Sequence, residues 1–116
     1  MYNLDRVMGL KELNTFDTIH FCGGSETHLM KAINRINFGP TLKTAVNNGL
    51  FYIGVSAGSM IASSSVKNSL RFIPNPLEPH CEDNVTPNGP LLDKDVPINL
   101  SDNQAVWITD DSVTIV

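Results

Sequence analysis

"LFYIGVSAGSMIASSS", residues 50–65, decides how this chain is read. Residues 50–55 form a nearly continuous apolar run, as expected for a strand covered on both faces. "SMIASS" then suits a helix. Between them, Gly54, Ser56 and Gly58 fall at alternate positions, where a strand pattern stops and a helical one begins. One reading is a tight strand-to-helix turn whose small residues are incidental. The other is a nucleophile elbow, in which the serine takes a strained backbone conformation and small residues two positions away avoid a clash as strand and helix close together. The hydroxyl then projects above the sheet, and the amide of Ala57 faces the same space. Short patterns match by chance, but a strand before and a helix after is the context the elbow requires.

Upstream, "DTIHFC", residues 17–22, reads as a buried strand stopped by Gly23-Gly24. Ser25 stands where a helix N-cap would, with Glu26 in the first turn. "THLMKAINRI" puts Leu29, Met30, Ile33 and Ile36 on one face. Gly39-Pro40 breaks that pattern, and "TLKTAVNN" resumes a helix that stops at Asn48-Gly49. Before all of these, "LDRVMGLKEL" places Leu4, Val7, Met8 and Leu10 or Lys11 at helical spacing. Downstream, residues 67–97 carry Pro74, Pro76, Pro79, Pro87, Pro90 and Pro97 and are expected to be mostly loop, with one short strand near Leu70–Ile73. "INL" restores order. "AVWIT", an Asp110-Asp111 turn and "VTIV" then form a terminal hairpin.

Strand, helix, helix, strand, helix is the alternation of an open α/β domain. Sites in such sheets form where strand C-terminal ends meet helix N-termini, so Gly23-Gly24 and Ser56 are expected on one edge of the sheet.

A chain of 116 residues suggests one domain with a modest core. Hydrophobic residues at 41% and charged residues at 17% fit a globular fold. A net charge of −4 with no basic cluster argues against nucleic acid or an anionic membrane as partner. Cys22 and Cys81 form neither a disulfide framework nor a C-x-x-C zinc pair, and no cofactor or metal is expected. The N-terminus lacks the pattern of a signal peptide, no stretch approaches the length of a membrane span, and a cytoplasmic location is expected. Without a secretory signal the sequons at Asn84 and Asn99 carry no weight.

A nucleophilic serine needs a base. His20 lies in a strand and reads as a core or sheet-face residue, and His28 sits on a helix as a surface or packing residue. His80, in "LEPHCED", follows a proline in the loop-rich region, where a side chain can be aimed at a site; a solvated loop histidine is the plain alternative. Glu78, Glu82, Asp83, Asp93, Asp95 and Asp102 all qualify as the orienting acid by charge, and most read equally well as surface carboxylates.

"FCGGSETHLMKAI", "GLFYIGVSAGSMIASSSV", "PHC" and "INLSDNQAVWI", in that order, resemble the peptidase E-like serine peptidases (family S51), a group that includes aspartyl dipeptidase and, more distantly, cyanophycinase. The resemblance covers roughly residues 13–109. It implies the order serine, histidine, acid, unlike the α/β-hydrolases. Carried over residue by residue, it implies Ser56 as nucleophile, His80 as general base, Asp102 as orienting acid, and the amides of Gly24 and Ala57 as the oxyanion hole, with Gly23 the near alternative to Gly24. The implied fold is a three-layer flavodoxin-like (class I glutamine amidotransferase-like) parallel sheet with helices on both faces, here N-terminally truncated and followed by a C-terminal β-hairpin, all one domain over 1–116. Ser25-Glu26 replaces a common Asn-Thr pair, and the stretch between His80 and Asp102 is short for the group.

The implied function is serine peptidase action on short peptides through an acyl-enzyme. A preference for N-terminal Asp rests on the resemblance alone; Arg71, the only arginine of the loop-rich region, reads as a solvated residue. The competing function is a catalytically inactive assembly or binding module that keeps the triad residues as relics, and an esterase or acyl transferase using the same elbow is a third. A homodimer is expected, because one N-terminal helix cannot cover both faces and an edge of a sheet containing "DTIHFC".

Overall fold

A computed structural model describes residues 4–82, 89–90, 96–110 and 112–116. The first helix, α1 (Leu10–Leu13), is shorter than the spacing predicts. Gly9 is its N-cap in extended conformation, and residues 4–9 precede it as turn and bend. A glycine inside a helix is unfavourable by about 1 kcal/mol, so the pattern over 4–13 breaks there. Val7, expected on the packed face, is 72% exposed.

Strand β1 (Thr18–Phe21) runs into Gly23-Gly24, and helix α2 (Glu26–Arg35) follows. Ser25 caps α2 through a 3.3 Å bond from the His28 amide to its hydroxyl. Met30 and Ile33 are buried. The break before the next helix is not at Gly39-Pro40. Asn37 takes the left-handed conformation, φ 53, and α3 (Phe38–Asn47) begins immediately after it. Pro40 therefore lies in the first turn, where an amide hydrogen has no intrahelical acceptor and its loss costs little. Gly49, φ 108, ends the helix as the Asn48-Gly49 stop requires.

Strand β2 (Phe51–Gly54) pairs in parallel with β1, Thr18 opposite Phe51 and Phe21 opposite Gly54. The elbow helix α4 (Ala57–Ile61) follows. Phe21, Met30, Ile33, Phe38, Leu42, Ala45, Leu50 and Ile61 join Met8, Leu13 and Leu70 in the main core. Among the described residues the opposite face of the sheet is only partly covered: Phe51, Ile53 and Val55 are 42%, 38% and 51% exposed, and the Trp107 ring packs 5.2 Å from that of Phe51. The expectation of a strand covered on both faces is thereby corrected. The helices that the described residues supply all contribute to the core on the other face, so side chains pointing away from it meet solvent.

The strand expected near Leu70–Ile73 does not form; Leu70 and Ile73 are buried in irregular chain. Instead β3 (Leu77–Glu78) pairs in parallel with β5 (Ile98–Asn99). The C-terminal hairpin is present: β6 (Val106–Ile108) runs antiparallel to β7 (Ser112–Ile115), and β7 also pairs with β4 (Gly89–Pro90). Asp111 of the expected turn lies outside the described residues. Ile73, Leu77, Ile98, Leu100 and Val113 form a second, smaller core. Among the described residues, no helix is long and apolar enough to cross a membrane.

Candidate active site

Ser56 sits between β2 and α4 with φ 53 and ψ −112, a combination that non-glycine residues rarely adopt. Such a residue stores roughly 1–3 kcal/mol of strain. The flanking glycines are steric necessities. A Cβ on Gly54 would stand 2.5 Å from the Gly58 carbonyl oxygen, and one on Gly58 would stand 2.2 Å from that of Phe21. The strand and helix close so tightly that neither position has room for a methyl group. In the tight strand-to-helix turn that forms, the glycines are therefore required and not incidental.

The Ser56 Oγ lies 3.0 Å from His80 Nε2, and His80 Nδ1 lies 2.5 Å from Asp102 Oδ1. The β3–β5 pair brings these two side chains together. Beyond the paired residues, the Leu100 amide donates to Glu78 O at 3.0 Å and the Cys81 amide to Leu100 O at 2.9 Å. The chain then continues two residues in irregular conformation, from Glu78 to His80 and from Leu100 to Asp102. His80 itself takes φ 62. The turn holding Asp102 is closed by the Ser101 amide on Gln104 Oε1 at 3.1 Å and the Gln104 amide on Ser101 O at 3.1 Å. On the other side, Ser65 ties the chain after α4 to β3: it accepts from the Leu77 amide at 2.7 Å, and its hydroxyl donates to Leu77 O at 2.8 Å. The site is open, with His80 and Asp102 side chains 63% and 79% exposed.

Gly23 lies over the serine: a Cβ there would be 3.4 Å from Ser56 Cβ. Gly24 follows at φ 131, a conformation suited to glycine. Ala57 is the first helical residue, so its amide has no intrahelical acceptor. Gly23-Gly24 and Ser56 thus share one end of the parallel strand pair. His20 and His28 are exposed on β1 and α2, and Arg71 is exposed. Glu78 accepts from Ser65 Oγ at 3.3 Å. Asp83, Asp93 and Asp95 fall outside the described residues.

Sequence reading missed two residues that border the elbow. The Tyr52 hydroxyl donates to Gly58 O at 2.6 Å, and the Ser59 hydroxyl donates to Gly54 O at 2.8 Å. The available signal was a tyrosine inside an apolar strand, since a buried phenol calls for a hydrogen-bond partner. Tyr52 packs between Phe21 and Phe72, with ring centroids 5.5 and 5.2 Å away. That burial pushes its phenol well above the ordinary tyrosine value. In the unfolded chain the same phenol ionises near pH 10. Above that pH the unfolded state binds fewer protons than the folded one, so this group's contribution to stability falls as pH rises. Urea unfolding at pH 9 and 11 is expected to show this loss, and Tyr52→Phe is expected to reduce the slope. An unchanged slope in the variant would show that the phenol ionises alike in both states.

Three comparisons with known proteins bear on the chain. The family model for peptidase family S51 matches residues 3–116. The 1.5 Å crystal structure of a "putative peptidase E protein" from Listeria monocytogenes EGD-e is similar in fold, with a TM-score of 0.72 at 20% identity. The match covers 95% of this chain and 66% of that one, so the chain spans just under two thirds of that protein's length. No curated protein matches.

Proposed function

The chain belongs to peptidase family S51, and from that premise we propose that it is a serine peptidase hydrolysing short peptides through a Ser56–His80–Asp102 triad. The observation that carries the reading is the hydrogen-bond chain from Ser56 Oγ to His80 Nε2 and from His80 Nδ1 to Asp102 Oδ1, at 3.0 and 2.5 Å, with the serine held at positive φ.

In this reading His80 takes the Ser56 proton as the hydroxyl attacks a peptide carbonyl, and returns it to the leaving amine as the tetrahedral intermediate collapses. Water then attacks the acyl-enzyme with the same base. Asp102 holds the Nδ1–H tautomer and stabilises the imidazolium. The Gly24 and Ala57 amides receive the oxyanion, each worth about 3 kcal/mol in the transition state. A preference for an acidic N-terminal residue is the finer part of the proposal and rests on family analogy. The two parallel strands, with α2 and α3 between them in sequence and α4 after them, are consistent with part of a three-layer flavodoxin-like sheet.

A fluorophosphonate probe tests the proposal. Labelling confined to Ser56 is expected. A folded protein that stays unlabelled would favour the relic module, and hydrolysis of simple esters without any peptide cleavage would favour an esterase.

The proposed partner, besides peptide substrate, is a second copy of the chain. The exposed face supports this: Phe51, Ile53 and Val55 are solvent-exposed, and Trp107, itself 51% exposed, lies 5.2 Å from Phe51 between ring centroids. A two-fold dimer is the simplest closed assembly. Sedimentation equilibrium at low micromolar concentration is expected to give twice the chain mass, and Ile53→Asp is expected to yield monomer. A wild-type monomer stable on dilution would overturn the assembly proposal.

A further inference from the structure

We propose that Tyr52 and Ser59 are positioning residues that hold Ser56 in its strained conformation by bracing the elbow from both limbs. The inference rests on the reading of Ser56 as the nucleophile and extends it to residues that do not touch substrate.

The two hydrogen bonds run in opposite directions across the corner. A strand side chain, Tyr52, donates to a helix carbonyl, that of Gly58. A helix side chain, Ser59, donates to a strand carbonyl, that of Gly54. Ser56 lies midway, two residues from each accepting carbonyl. A change of its backbone from φ 53 to the ordinary negative range would swing α4 against β2, and both bonds span that junction. The Gly58 carbonyl is suited to its role. Its usual helical donor, the Ala62 amide, bonds Ser59 O at 3.2 Å, so the last turn of α4 is tightened. The phenol is placed in advance, because the Tyr52 ring is held by Phe21 and Phe72. The packing beneath it is shared: Phe21 is also the residue whose backbone Gly58 approaches most closely. Burial extends the range over which the phenol stays a donor above the pH at which a free tyrosine ionises.

Backbone bonds close the corner itself, from the Gly58 amide to Val55 O and from the Ser59 amide to Ser56 O, both at 2.9 Å. Glycine at 54 and 58 lets the limbs close, and the two hydroxyls tie strand to helix on either side of that turn. Losing either bond then lets Ser56 relax away from His80 for part of the time. A net hydrogen bond of ordinary strength corresponds to about fivefold in that equilibrium.

The experiment compares wild type with Tyr52→Phe, Ser59→Ala, the double variant and Ser59→Thr. Two quantities are read on the folded protein: the limiting rate of fluorophosphonate labelling at saturating probe, and amide hydrogen exchange at residues 55–59 by NMR. Each single loss is expected to speed exchange at 55–59 about fivefold relative to α3; labelling slows, with little change in probe affinity, by the fraction of molecules in which the corner is open, and by more in the double variant than in either single one. Ser59→Thr keeps the hydroxyl and is expected to retain wild-type values. Thr44→Ala removes a 3.0 Å side-chain bond to Pro40 O remote from the site and is expected to change neither quantity. Exchange at 55–59 that is unchanged in both single variants, or labelling of a folded double variant as fast as wild type, would overturn the brace. If wild type does not label at all, the peptidase reading fails, and the exchange data alone decide the brace. Should the double variant not fold, the single variants carry the same comparison.

Discussion

Ser56→Ala is expected to eliminate fluorophosphonate labelling and to lower peptide hydrolysis by a factor on the order of 10⁶, the scale found when a triad nucleophile is removed. Cα and Cβ are kept, so the strained corner and the fold are expected to persist and circular dichroism to be unchanged. Asp102→Asn is the companion. It preserves shape but presents an amide to His80 Nδ1, 2.5 Å away in the native arrangement. The imidazole then loses the carboxylate that fixes its tautomer, and a loss of about 10⁴ in kcat is expected. Turnover in Asp102→Asn equal to wild type would move the orienting role to another acid. Glu78 is already engaged by Ser65, which leaves Asp83 as the next to test. Residual labelling in Ser56→Ala would place the reactive hydroxyl elsewhere and remove the elbow from the mechanism.

Gly58→Ala is expected to destabilise the chain by about 3 kcal/mol or more, at the upper end of overpacking substitutions. The added methyl would meet Phe21 O at 2.2 Å, Phe21 C at 2.8 Å and Phe21 Cβ at 2.9 Å. Two of these atoms are backbone, in the strand that pairs with β2, and cannot rotate away. Either α4 lifts from the sheet or β1 shifts, and the main core lies under both. Gly9→Ala is the control: nothing lies within 4 Å of its Cβ position, and its φ of −86 suits any residue. Urea midpoints separate the two, with a large drop for Gly58→Ala and a change within about 0.5 kcal/mol for Gly9→Ala. Equal midpoints would mean that the strand and helix are not so closely apposed in solution.

Local chemistry explains which parts of this architecture were legible in the sequence. Strand β1 ends at Gly23-Gly24, α2 starts at Ser25, and α3 stops at Gly49 because each boundary is set by one or two residues with a definite backbone preference. The elbow was readable for the same reason. Pro40 misled, since a proline marks either the end of one helix or the first turn of the next, and only the left-handed Asn37 settles which. The β3–β5 pair had no local signal. It joins two two-residue segments about twenty residues apart, too short for any periodicity, so the region around His80 read as featureless loop. The apolar run of β2 reports what its side chains are made of and not what covers them, which is why the exposed face of Phe51 and Ile53 went unseen.

The division of the apolar interior into two cores has a kinetic consequence. Ser56 is mounted beside one core, while His80 and Asp102 are held by strands of the other. The His80 ring and the Ser56 hydroxyl therefore meet only where the two clusters are docked on each other. Parts of a small protein can open at less free energy than global unfolding requires, and the registry between the clusters is the contact such an opening would break first. Labelling of Ser56 thus serves as a clock for that docking step. In a urea titration it is expected to vanish before the far-ultraviolet helix signal declines, and on refolding to return after that signal has recovered. Coincident curves would mean that the clusters form and separate as one cooperative unit.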